Sequence, residues 1–211
     1  MASPSRGIPL PGFGAPAVGF DTPFEMLEAC HERVQRTLAL QQRLCEHLQT
    51  KGCDASARSA ARDVLRYFDI AAPLHHEDEE RHVFPALHAV QDEALLAAVT
   101  RLQAEHVAMA QRWAVARSAL LALAGGSITQ FSAEQLAALD AFAAGYAEHI
   151  RTEEEWVYPA ARAAMDAGTL QAMGRDMRQR RGATHQGIGQ SQVTVLIGPC
   201  EGNVVRHMDG H

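Results

Sequence analysis

Four stretches of this chain repeat apolar residues at alternating spacings of three and four. In each, a histidine stands where the repeat would ordinarily put leucine or valine. The first runs Phe24, Leu27, His31, Val34, Leu38, Cys45, Leu48, and the second Val64, Phe68, Ala72, His75, Glu79, Val83. The third runs Val99, Leu102, His106, Met109, Trp113, Leu120, and the fourth Leu139, Phe142, Tyr146, His149, Glu153, Trp156, Ala160. This period predicts amphipathic helices, each burying one stripe.

Boundary residues frame the four helices. Thr22-Pro23-Phe24-Glu25 reads as a capping box with proline at the first helical position, and Lys51-Gly52 as a stop. Asp54 caps the second helix, which Pro73 should bend and Pro85 should end. The third opens near Asp92 and closes at Gly125-Gly126, and the fourth opens on a second capping box, Ser132 with Gln135. Short breaks between long helices predict an all-α, up-down-up-down four-helix bundle. The expected organisation is a flexible segment 1–21, the bundle 22–165, a short helix within 166–182 running from about Leu170 to Arg180, and a mobile Gly-rich tail 183–211. Within that tail only Val193 to Ile197 looks strand-like.

A chain of 211 residues, 47% hydrophobic, is long enough for one sizeable core. Its formal net charge of −6 argues against a general nucleic-acid or anionic-membrane binder. The basic run RDMRQRR at 175–181 reads as a helix end that complements the dipole. The first nineteen residues hold four prolines and four glycines but no continuous apolar stretch of the signal-peptide kind, and no run is long enough to span a bilayer. A soluble, cytoplasmic protein is expected. Cys30, Cys45, Cys53 and Cys200 show no CxxC spacing, and the first three, in or beside the first helical pattern, read as reduced, partly buried small hydrophobes.

The chemistry lies in the stripes. His31, His75, His106 and His149 fall on four different helices, and Glu79 and Glu153 follow two of them at i+4, on the same helical face. Two carboxylates buried together without partners would each cost several kcal/mol or take up a proton. A pair of cations neutralises them. Imidazole and carboxylate donors suit iron, manganese or zinc, and the lack of thiolates argues against a structural zinc centre. Four imidazoles and two carboxylates fit two metals bridged by both glutamates.

The segment PLHHEDEERHVFP at 73–85 resembles the HHxxEExxxFP block of the hemerythrin-like HHE cation-binding domains, and AEHIRTEEEWVYP at 147–159 is similar to that family's second half-site. With His31 and His106, the resemblance covers roughly 22–165. It implies a hemerythrin-like bundle around an oxo- or hydroxo-bridged pair of iron ions, with manganese or zinc as alternatives. It also implies the ligands His31, His75, Glu79, His106, His149 and Glu153, with both glutamates bridging. Oxygen-carrying members supply two histidines four apart on the third helix, whereas Ala110 follows His106 here and Leu102 precedes it. The vacancy is left to water or to His76, Glu80, His82 or Glu154, or these side chains orient the ligands instead. His82, three after Glu79, is the first candidate.

The resemblance implies a protein that binds oxygen, nitric oxide or peroxide at an open iron site, in sensing or in oxidative or nitrosative stress. Three alternatives stand beside it: a di-iron oxidase or peroxidase with a redox partner, an iron-centre repair protein, and a metal-free bundle with structural histidines. A ferritin-like di-iron site would need two Glu-x-x-His motifs, and only Glu79-x-x-His82 is present. The physiological ligand, the choice between carrier, sensor and enzyme, and the oligomeric state stay open at the level of sequence.

Overall fold

The computed structural model describes residues 19–182, and every regular element among them is a helix. The strand-like 193–197, His207 and His211, and the segment 1–18 lie outside the described residues. The elements are α1 (Pro23–Lys51), α2 (55–87), α3 (Glu93–Gly125), α4 (133–164, interrupted at Ala144 and Gly145) and α5 (Ala167–Arg180). The first four form an up-down-up-down bundle. None is long and apolar enough to cross a membrane.

Most boundaries follow the local chemistry. Asp54 accepts from the Ala57 N–H at 2.8 Å and Asp92 from the Leu95 N–H at 3.0 Å. Ser132 and Gln135 close a reciprocal capping box. Gly126 ends α3 in the left-handed region, φ 80°, which glycine adopts without a Cβ penalty. Helix α1 starts at Pro23 as expected, but Thr22 makes no capping bond; its hydroxyl instead donates to the Gly19 carbonyl at 3.3 Å.

Prolines act differently from expectation. Pro85 does not end α2, which continues to Leu87 through Pro73 and Pro85 alike. A proline ring crowds the carbonyl four residues back. The chain yields by widening one turn: Ala72 N–H donates to the Tyr67 carbonyl, Phe84 N–H to Glu79, and Tyr158 N–H to Glu153, all i+5 bonds of π turns. Pro73, Pro85 and Pro159 each sit at the second position beyond such a turn. The extra residue rotates the following side chains. Trp156, expected in the fourth stripe, is therefore 41% exposed, and Val157 and Tyr158 face inward instead. On α1 the buried stripe passes through Gln41 and Leu44, leaving Cys45 half-buried.

Two apolar clusters divide the interior. One contains Val34, Leu44, Phe68, Met109, Leu120 and Phe142, and the other Phe24, Leu27, Phe84, Leu102, Val157 and Met177. Between them, at one level of the bundle, lie the histidines and glutamates of all four stripes. Helix α5 begins at Ala167, capped by Asp166, and buries Met173 and Met177 in the second cluster. It packs close: a Cβ on Gly174 would stand 2.0 Å from the Phe20 carbonyl oxygen.

Candidate metal centre

His31, His75, His106, His149, Glu79 and Glu153 are all buried, and both glutamates are fully so. Each π turn at this level starts on one of those glutamates. Donor atoms of His31, His75, Glu79 and Glu153 lie within 4.8 Å of one another, and so do those of His76, His106 and His149. The two groups adjoin. Glu79 Oε2 stands 3.4 Å from His106 Nε2, and Glu153 reaches His31 Nε2 at 3.2 Å and His149 Nε2 at 3.1 Å.

Three further carboxylates set the imidazole tautomers. His31 Nδ1–H donates to Glu154 at 2.8 Å, His106 Nδ1–H to Glu80 at 2.9 Å, and His149 Nδ1–H to Glu105 at 2.9 Å. A carboxylate only accepts, so each of these rings turns its Nε2 inward. Gln103 holds Glu80 in turn, donating at 2.7 Å. Tyr158, fully enclosed, donates to Glu79 and lies 3.2 Å from His31 Nε2.

The inward atoms are under-satisfied. Glu79 Oε2 and both oxygens of Glu153 are buried with only the imidazole nitrogens of the clusters for contact, and His75, whose Nε2 faces Glu79 at 3.5 Å, leaves its Nδ1 buried without a partner. His106 Nε2 and His149 Nε2 face each other at 3.2 Å. Two lone pairs at that distance repel unless a proton or a cation lies between them. Buried polar atoms in native proteins are almost always paired. This donor set fits cations, which would satisfy the glutamate oxygens and the facing nitrogens together.

Without a cation, protons take that role. Burial pulls His106 down, but bonds to Glu153 and Glu79 outweigh it and raise its pKa to about 10. His31 and His149 move upward likewise, against burial, mainly through Glu153. Burial dominates at His75, which falls to about 4. At His76 burial and the nearby His106 and His75 act together, so it stays neutral. Burial opposes ionisation of Glu153, yet hydrogen bonds from His106, His149 and His31 hold it well below the usual carboxylate range.

The other sequence candidates separate. His76 enters the second cluster, its ring stacked 4.0 Å from that of His106. Glu80 and Glu154 sit behind imidazoles. His82 joins neither cluster: it lies three residues after Glu79 across a π turn, rotates outward, and meets Asp176 of α5 at 2.7 Å. Asp78, which lies off the apolar stripe of α2, is nevertheless completely buried and bound by Arg180 and Arg181. The basic run therefore clamps α5 to α2. Glu105 and Tyr158 escape the sequence reading. Glu105 precedes His106 and lies outside the apolar period; Tyr158 turns inward only because of the π turn.

The family model for the hemerythrin HHE cation-binding domain matches residues 22–161. The chain belongs to that family. It is also 30% identical, over 165 residues, to an uncharacterized protein of Haemophilus influenzae, an overlap of 77% of this chain and 91% of that protein. His76 of the HH pair supplies the third imidazole of the second cluster, beside His106 and His149.

Proposed function

We propose that this HHE domain holds two iron ions and binds a small oxidant, oxygen, nitric oxide or peroxide, in sensing or stress response. His31 and His75 would hold one ion and His76, His106 and His149 the other, with Glu79 and Glu153 shared. The observation that carries this reading is the pair of adjoining clusters around Glu79 Oε2 and both Glu153 oxygens, fully buried atoms whose only contacts are imidazole nitrogens of the clusters. A pair of ferrous ions supplies reducing electrons and an open coordination position. The protein supplies the rest: Glu80, Glu105 and Glu154 fix ring orientation, and the two apolar clusters keep bulk water away. Tyr158 holds a hydroxyl proton on Glu79, at the face shared with His31.

Metal analysis and optical spectra of protein from iron-replete cells test this. About two irons per chain, with near-ultraviolet oxo-bridge absorption and a new band on adding azide, are expected of a di-iron bundle. His76→Leu should lose one iron and His82→Leu neither. Zinc alone, or no metal, would overturn the reading, and equal effects of the two substitutions would overturn the ligand assignment.

A further inference from the structure

Ala110, four residues after His106 on α3, borders a cavity of about 140 Å³ between α2, α3 and α4. Its floor is apolar and buried: Phe68, Met109 and Phe142. No carboxylate, lysine or arginine lines it. One end is His76, the imidazole that joins the second cluster. The rim includes Ala110, exposed, and the half-buried Trp113. Trp113 is held in place there, because its indole N–H donates to Asp69 at 2.9 Å and Arg117 grips the same carboxylate at 2.8 and 3.0 Å. An aromatic side chain at position 110 is large enough to fill the space, whereas serine is not.

Such a passage selects by polarity. An ion leaving water for an apolar passage loses its hydration, at a cost of several kcal/mol or more, while a small uncharged diatomic molecule loses almost nothing. Resting on the functional reading above, we propose that this cavity is the way in for an uncharged diatomic ligand to the His76 side of the metal pair, and that Ala110 sets its bore.

The test begins with metal-free, full-length protein under xenon, which occupies apolar cavities of this size. Xenon should bind beside Phe68 and Met109 in the wild type and in Ala110→Ser, and be lost in Ala110→Phe. Stopped-flow association of nitric oxide and of oxygen with the iron-loaded ferrous protein follows. Ala110→Phe should slow it roughly tenfold, the effect of about 1.4 kcal/mol of added barrier, with iron content and spectrum unchanged. Whichever gas slows is the one this route carries. Absence of xenon from the wild type, or unchanged rates for both gases in an iron-loaded Ala110→Phe that has lost xenon, would overturn the route and leave the di-iron reading standing. A wild type that takes up no iron would overturn both.

Discussion

The carboxylates behind the imidazoles make a site-selective prediction. Glu154 serves His31, in the first cluster, whereas Glu80 and Glu105 serve His106 and His149, in the second. Glutamine keeps the shape and one acceptor but removes the charge that makes the ring a better donor to a cation. Loss of such a partner ordinarily lowers metal affinity 10- to 100-fold. Here the carboxylate side chains are 39%, 36% and 33% exposed, so water takes over part of their role. The lower end applies: about tenfold, or about 1.4 kcal/mol, for each substitution. Glu154→Gln should weaken one ion; Glu80→Gln and Glu105→Gln should weaken the other. Because the last two act on a single ion, their double variant should deviate from additivity. Chelator competition gives the affinities, and Mössbauer spectra of partly loaded protein separate the two ions. Melting of the metal-free variants should change little, since each lost bond is partly exposed. Wild-type affinity in all three, or loss of the same ion from Glu154→Gln and Glu80→Gln, would refute the tautomer and cluster assignments together.

Three further outcomes follow from packing and charge. Trp156→Gln should change stability by no more than about 0.5 kcal/mol, while Val157→Ala should cost about 2 kcal/mol, a contrast in chemical denaturation that an unbroken α-helical register would reverse. Asp78→Asn removes the buried partner of Arg180 and Arg181 and should cost about 3 kcal/mol, with faster amide exchange concentrated in α5. In metal-free protein the depressed pKa of His75, 6.5 falling to about 4, stabilises the fold fully above pH 6.5 and is lost as pH falls toward 4. The share from His75 should reach about 3 kcal/mol across that window, measured by denaturant midpoints, and the drop should shrink in His75→Leu, with His76, lowered in the same direction, leaving a remainder.

The bundle was readable because its determinants are local: a three-four apolar period, Asp and Ser caps, and glycine at the helix ends. The buried level of histidines was readable for the same reason, since His31, His75, His106 and His149 occupy positions the period assigns to the core. The period held across the first widened turn, where Phe68, Ala72 and His75 are buried as expected, and misled at the other two. Trp156 and His82 both lie three residues beyond the glutamate that opens a π turn, and both were rotated outward by the same inserted residue. The third failure was one of distance in sequence. Asp78 is bound by arginines about a hundred residues away, and Glu105 serves a histidine on another helix, so neither partnership leaves a trace in local spacing.

The HH pair shows what two consecutive histidines on one helix can reach. Consecutive residues on a helix diverge around its axis and cannot share one target. For a single metal that divergence would waste one ring. With two adjoining clusters it becomes the means of serving both: His75 joins His31, and His76 crosses toward His106 and stacks on it. The third imidazole of the second cluster thus comes from α2. The same His76 ends the cavity that Ala110 borders, so one side chain of α2 belongs both to the cluster and to the cavity. A histidine at position 110 should fill the cavity as well as offer a donor. Xenon should be excluded from Ala110→His even in metal-free protein, whereas a cavity held open independently of residue 110 would still admit it.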